Sequence, residues 1–482
     1  MIAVLLLLPD TGLRRWHRRL ADALGRDGFA VFAALRPAPA QPPSVAVLEW
    51  LERTLFPASN DLMADELAGA WLRPASGRPD LVFDLTGRAE PEAGAVFPVF
   101  AGAPGDDARD AMLLAREAPR IGLATMAGSQ SHIHAEALIA LERPDHFLSG
   151  RAAVAARLST LIRTFSRRGP AEADAAPRPS ATNLRPAAFL LESLVGRVRR
   201  RLTRLAAHDD HWRIAWRRVE EGGVQHRLDW AGGDWTVLQD DRRRYFADPF
   251  LFTHEGVVHV FCEEYPYATG KGVISWFPLD AGGRPAAAPR VVLERPHHLS
   301  YPLVFAHDGA IWMAPEGAGG GGFDLFRADP FPHAWTFDRR VVDLPLGDAT
   351  LFASGGRHWM TATLPEDGGS TWDCLSLFMA PSPLGPWTRC TDEPTLIDVS
   401  SARPAGHVFE RDGALWRPAQ DCAEGYGAGL ALCRIDRLDE QGLKQEVVRR
   451  LPPPPGLKAD CVHTLNAAGG FEIIDIAGVM AK

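Results

Sequence analysis

Two aspartates, Asp248 and Asp348, hold the same place in a repeated phrase, and three glutamates stand near them: Glu263, Glu264 and Glu316. Carboxylates gathered at one place can run acid–base chemistry, because burial and mutual repulsion drive their pKa values apart. Breaking or making a glycosidic bond needs such a set: one carboxylate as base or nucleophile, a second of raised pKa as acid, a third to tune or orient. Against this stands a plainer reading, since Asp248-Pro249 and Gly347-Asp348 are also turn dipeptides whose aspartates cap turns. A single aspartate fits the turn reading; a pair held in one orientation by a repeat points to a shared cavity.

The repeat that would position them is a large apolar residue, a Gly four residues later, and then an aromatic-rich strand. It occurs at Phe252/Gly256, Phe305/Gly309, Phe352/Gly356, Phe409/Gly413 and, weakened, Leu465/Gly469, at spacings of 53, 47, 57 and 56 residues. Each phrase reads as strand, tight turn, strand. A period near 50 residues marks a propeller blade of about four strands, so five phrases predict an all-β five-bladed propeller over residues 211–482. Its first strands would converge on one axis. Four residues before the apolar anchor stand Asp248, Tyr301, Asp348, Ala405 and Cys461; seven after the Gly stand Glu263, Glu316, Thr363, Gln420 and Ile476. The expected outcome is an axial pocket lined by Asp248, Asp348 and one or more of Glu263, Glu264 and Glu316.

Substrate-binding candidates follow from the same register. Arg403, His407 and Arg417 fall in the fourth unit, and Asp421 lies one residue beyond its Gln420. Small residues around Arg403 let its side chain reach the cavity, to grip a phosphate or carboxylate bidentately or to pair with an axial carboxylate. His463 opens the last unit as acid, base, metal ligand or structural donor. His297 and His298, just before Ser300-Tyr301, would bracket a sugar hydroxyl, with His298 and Tyr301 as binding candidates. Trp312, Trp359 and Trp416 follow the repeated Gly and are expected to pack between blades. The Gly317–Gly322 run lacks the Lys-Ser/Thr ending of a phosphate-binding loop and reads as a rim. No metal site and no cofactor is expected.

Residues 1–168 alternate strand and helix: Ile2–Leu8, a helix over Leu13–Arg26, strands at Phe29–Leu35, Leu81–Leu85 and Arg120–Met126, and a helix over Gly150–Arg167. That alternation predicts an α/β domain with a mainly parallel sheet and a ligand site near Asp10–Thr11 and Asp84–Gly87. The Pro/Ala/Ser-rich stretch Gly169–Pro186 reads as a linker, within a connecting region spanning 169–210. The helix Ala187–Ala207 sets Leu191, Leu194, Val195, Val198, Leu202 and Leu205 on one face and Arg197, Arg199, Arg200, Arg201 and Arg204 around the remainder. Such a basic amphipathic helix suits an anionic membrane surface, or serves as a connector packed on the propeller with its arginines solvated.

A net charge of −8 argues against nucleic acid as partner. The six cysteines form no C-x-x-C pair and read as reduced core thiols. MIAVLLLLPDTG lacks a basic lead-in and reads as a strand-to-helix turn rather than a signal, and no apolar run is long enough to span a bilayer. The expected location is cytoplasmic, at most peripheral to the inner membrane face.

ADPFLF at 247–252 resembles the opening motif of five-bladed glycoside hydrolases, the arabinanase, arabinofuranosidase and xylosidase group, in which that aspartate is the general base. The whole propeller more closely resembles the N-terminal domain of the plant glucosamine inositolphosphorylceramide transferases and their bacterial relatives. The motifs are YFADPF, FCEEY, HLSYPLVF, MAPEG, DATLF, SARPAG, WRPAQDC and HTLN. The hydrolase resemblance implies a base at Asp248 and a pKa-tuning residue at Asp348, with the acid left open among Glu263, Glu264 and Glu316. In the plant family the transfer step is credited to a separate domain. Residues 1–168 look like a degenerate formyltransferase-like domain without the Asn-His-Asp set of such enzymes. The expectation is glycosyl transfer from an activated sugar donor to a glycan or glycolipid acceptor. The alternatives are a hydrolase using the same carboxylates and a non-catalytic glycan-binding or scaffolding propeller.

Overall fold

A computed structural model describes residues 1–56, 61–75, 77–128, 130–170, 185–219 and 222–481. Most of the predicted linker, 171–184, lies outside the described residues. The chain divides into two compact units, Met1–Arg199 with Glu366–Ser370, and Arg200–Pro365 with Thr371–Lys482.

The second unit is built of five antiparallel sheets in chain order. Their innermost strands are Arg244–His254, Ser300–His307, Gly347–Ser354, Phe409–Arg411 and Leu465–Ala468. Aromatic and branched residues fill the seams between them. Phe261 and Ile274 of the first sheet meet Met313 and Phe326 of the second. Trp312 and Phe323 of the second meet Met360 and Phe378 of the third, whose Trp359 and Leu375 meet Ile435 and Leu443 of the fourth. Trp416 and Leu430 continue to Ile474 of the fifth. Trp216 and Ile473 of the fifth return to Phe246 and Val260 of the first. Five seams joining five sheets head to tail make a closed ring, the layout of a five-bladed propeller. The three tryptophans lie in those seams.

Each blade opens on a two-residue hairpin with both φ angles positive: Glu255-Gly256, Asp308-Gly309, Gly355-Gly356, Asp412-Gly413 and Gly469-Gly470. Such turns match the right-handed twist of their strands, and Gly holds the second position at no steric cost. In the last blade that position is Gly470, since Ala468 pairs with Phe471. The predicted anchor Leu465/Gly469 is therefore one residue out of register, misplaced by a double glycine.

The ring closes through the fifth sheet, where Phe471–Ala481 pairs with Ala207–Arg218 over most of its length. A buried ion pair crosses this seam. Arg217 Nε lies 2.6 Å from Glu472 Oε1, its remaining donors reach the carbonyls of Trp230, Ala231 and Gly233, and Glu472 Oε2 accepts the Val224 N–H at 2.7 Å.

The first unit departs from the expected sheet. Only Ala30–Arg36, Ala3–Pro9 and Leu81–Asp84 form a parallel sheet, in that order. Arg120–Ala127 belongs to a separate antiparallel sheet, hydrogen-bonded to Phe97–Phe100 and, through a hairpin, to Gln130–Leu138. Parallel neighbours need a crossover, and this strand folds straight back on its successor. The helices Pro43–Leu55 and Asp106–Leu114 also escaped the sequence reading. The helix Pro186–Ala206 is anchored through buried Phe189 and Ser193, which receive Arg116 of the first unit, with Leu191, Val195, Val198, Leu202 and Leu205 exposed. None of the six cysteines forms a disulfide, and no helix among the described residues is long and apolar enough to cross a membrane.

Removing one partner of a buried ion pair typically costs about 3–5 kcal/mol. Glu472→Ala should therefore lower the denaturant midpoint markedly, whereas Arg434→Ala, which breaks a surface pair with Asp436 and Glu446, should shift it little. Paired urea melts of the two variants check this.

Candidate functional site

Three equivalent residues, Asp248, Tyr301 and Asp348, adopt left-handed backbone at φ 49°, 47° and 48°. Each sits where strand register slips, between Ala247 and Phe250, Ser300 and Leu303, and Gly347 and Thr350. The slip is a bulge, which frees one residue from the ladder. The freed N–H groups need acceptors, and acids of the preceding blade supply them. Asp475 Oδ2 accepts from Asp248 N at 2.9 Å, Asp248 Oδ2 from Tyr301 N at 3.2 Å, and Glu316 Oε2 from Asp348 N at 2.8 Å.

Around this spine two groups form. In the first, Asp475 is fully buried and accepts backbone N–H bonds from His463 and Thr464 as well. His463 Nδ1 lies 2.5 Å from Asp475 Oδ2, and its Nε2 lies 3.7 Å from Asp248 Oδ1. Trp212 stacks on the imidazole at 3.9 Å and Tyr426 meets it edge-on. Burial disfavours the imidazolium, but Asp475 and Asp248 hold the His463 pKa above its ordinary value. Burial pushes Asp248 up to about 6 despite His463, with Asp475 and Glu316 adding repulsion. Asp248, His463 and Asp475 bring possible cation ligands within 4.8 Å of one another. The 2.5 Å His463–Asp475 contact and the three N–H donors on Asp475 leave no room for an ion between those two. An ion-paired array fits better, with Asp475 holding the His463 ring as a carboxylate orients a catalytic histidine and Asp248 facing its other nitrogen at 3.7 Å.

In the second group, Arg403 Nε approaches Asp348 Oδ2 to 2.6 Å and its Nη2 approaches Glu316 Oε2 to 3.5 Å. The first contact lies off the line of the Nε–H, so it is an ion pair rather than a directed hydrogen bond. Gln420 Nε2 donates to the same Asp348 oxygen at 2.7 Å. Two carboxylates thus share one guanidinium. Burial drives Asp348 well up even beside Arg403; burial also works against ionised Glu316, but Arg403 and the Asp348 hydrogen bonds keep it below its ordinary value. One proton shared by the pair, resting on Asp348, accounts for both directions.

Glu263 joins the two groups. It is buried, within 3.2 Å of His298 Nε2 and 3.4 Å of the Tyr245 hydroxyl. Burial, reinforced by Asp248 and Glu316, raises its pKa well above the carboxylate range. The group opens to solvent at its rim, where the His298 side chain is 43% exposed and that of Glu316 17%.

Asp248, Glu263, Glu316, Asp348, Arg403, His463 and, at the rim, His298 are therefore brought together. Other predicted residues are placed elsewhere. Glu264, next in the strand, faces the opposite way and is held by Arg244 and Ser275 at 2.6 Å each. Tyr301 is fully buried, its hydroxyl consumed by Thr350 and Gly406 N, so it contributes its backbone rather than a substrate contact. Burial lowers His407 to about 4, and it packs edge-on against Phe250. Arg417 spends its donors on Ser401 O, Ala402 O and Gln445, and Asp421 pairs with Arg450. Arg417 and Asp421 lie on the face of the strand Ala414–Asp421 opposite Gln420. Asp475, Gln420, Thr464, Tyr245 and Tyr426 were not singled out. Gln420 already stood in the repeated column with Glu263 and Glu316, while Asp475 stands five residues after Gly470, two short of that column.

Residues 239–451 match the family model described as glucosamine inositolphosphorylceramide transferase 1, N-terminal. The rice (Oryza sativa subsp. japonica) protein named glucosamine inositolphosphorylceramide transferase 1 is 32% identical over 204 residues, covering 42% of this chain and 27% of that protein. The Arabidopsis thaliana protein of that name is 30% identical over 214 residues, with the same shares. The chain thus spans about a quarter of the length of the curated relatives it matches. The transferase-family match leaves residues 1–238 outside, so the formyltransferase-like reading of 1–168 gains no support from it. Among solved structures, the catalytic domain of the Coprinopsis cinerea GH62 α-L-arabinofuranosidase is 11% identical, with 48% of this chain and 81% of that one covered at a TM-score of 0.37. The Podospora anserina α-L-arabinofuranosidase in complex with cellotriose gives 11%, 50% and 92% at 0.36. TM-scores this low carry no argument about the site.

Because folding raises the Asp248 pKa from 3.8 to about 6, its stabilising contribution is full below about pH 3.8 and lost as pH rises through about 6. Asp248→Asn removes that loss. The variant should melt above the parent at about pH 8, and the gap should narrow below about pH 6 and close only near pH 3.8; melting curves across that range read it directly.

Proposed function

We propose that the axial carboxylates of residues 211–482 form a glycosyl-transfer site, moving a sugar from an activated, phosphate-linked donor to a glycan or glycolipid acceptor. The observation that carries the reading is the split in protonation within one buried group. Asp248, at about 6, is a base near neutrality, while Glu263 is held protonated by burial. Asp248 Oδ1 would take the acceptor hydroxyl proton, with His463 and Asp475 stabilising the charge behind it. Glu263 would give its proton to the departing oxygen. Asp348 would set the balance through Arg403, whose charge it shares with Glu316. The relatives' name puts an amino sugar and an inositol-phosphate ceramide first among substrates to try. This reading carries with it the division at 168 and 210 and a cytoplasmic location.

The deciding experiment incubates the full chain with nucleotide sugars and lipid acceptors and follows product by mass. Asp248→Asn should lower turnover by at least about a hundredfold with folding intact. Asp348→Asn should cost less and leave the acid limb of the pH profile nearly in place, since Asp348, holding the proton of its pair, has little charge to lose. The parent profile should rise through about pH 6, as Asp248 loses its proton, and fall again as Glu263 does. Aryl glycoside cleavage in water without transfer would replace transfer by hydrolysis. Full biological activity in Asp248→Asn would favour a scaffold.

A further inference from the structure

The helix Pro186–Ala206 carries a surface that the axial chemistry does not use. At about 100° per residue, Leu191, Val195, Val198, Leu202 and Leu205 fall within an arc of roughly 80°. Their exposures are 63%, 60%, 59%, 61% and 75%, so the stripe faces outward along the whole helix. The helix is held from its other side. Phe189 and Ser193, roughly 160° from the stripe centre, are buried. Arg116 donates to Phe189 O at 2.7 Å and Ser193 Oγ at 2.9 Å, and Arg197 pairs with Asp145 at 3.1 Å and lies over the Phe56 ring.

Charge says what the stripe meets. The helix has five arginines and a single acid, Glu192. Arg199 and Arg201, both exposed, fall roughly 80° to either side of the stripe centre. A second copy packed stripe to stripe would set these cationic flanks against each other, the like-charge arrangement that disfavours helix pairing. A bilayer surface bearing anionic headgroups takes both features at once: acyl chains receive the stripe, and phosphates receive arginines that reach up from its edges. We propose that this helix docks the chain on an anionic lipid surface, lying in the plane of the interface.

The test is flotation of the full chain with vesicles of phosphatidylcholine alone or with a minor fraction of phosphatidylglycerol. The parent should float with the anionic vesicles and lose that binding as salt rises. Arg201→Gln should weaken partitioning roughly fivefold. Leu202→Ser with Leu205→Ser should weaken it at least about tenfold even at low salt, with melting curves like the parent's. Asp248→Asn should float as the parent does, which separates docking from any binding at the axial site. Hydrogen exchange of residues 190–205 in the parent should slow when anionic vesicles are added, a reading that needs no variant. Failure to float, leucine variants that bind like the parent, or a parent dimer that they dissociate would each overturn the proposal.

Discussion

Everything at the axis follows from one backbone constraint. Three innermost strands carry a bulge whose freed residue turns left-handed, at Asp248, Tyr301 and Asp348. A buried N–H left without an acceptor costs about as much as a lost hydrogen bond, so each bulge demands an acceptor from the blade before it. Asp475, Asp248 and Glu316 meet that demand in turn. The carboxylates are thus drawn to the axis by the fold's own need. Structural and chemical roles fall on the same atoms: Asp248 serves Tyr301 with one oxygen and keeps the other for Thr464 and His463.

This arrangement concentrates acids beyond what nearby cations neutralise. Arg403 and His463 lie among Asp248, Glu263, Glu316, Asp348 and Asp475. With so few countercharges the group answers by holding protons, which is why burial raises Glu263 and Asp348 while Arg403 keeps Glu316 ionised. The energetic burden of the ring's centre is carried by the seams, where the tryptophans and phenylalanines of adjoining blades interlock.

The periodic parts of this structure could be read in the sequence because a repeat converts spacing into direction. The column of Asp248, Tyr301 and Asp348 and the column of Glu263, Glu316 and Gln420 both converge on the axis. Legibility failed where the repeat slipped or where side-chain choices are local. Asp475 falls two residues short of the acidic column, five after its turn glycine rather than seven. Nothing in the spelling of FCEEY tells which glutamate faces inward; the pleat does, sending Glu263 to His298 and Glu264 to Arg244 and Ser275. Arg417 and Tyr301 have the right chemistry for a ligand, yet backbone and side-chain neighbours claim their donors first. In the first unit, strand–helix alternation was visible, but strand direction is set by pairing that no window of residues reveals.

The seam that closes the ring also sets an order of events in synthesis. Arg217 and Glu472, joined across it, stand 255 residues apart in the chain. At about 5–20 residues per second, the strand Ala207–Arg218 leaves the ribosome roughly 15–50 seconds before its partner exists. Throughout that interval it presents an unpaired edge with Ile214 and Trp216 uncovered, the kind of surface that recruits other nascent chains. A fold that finishes with its last strand leaves its first one to the care of chaperones.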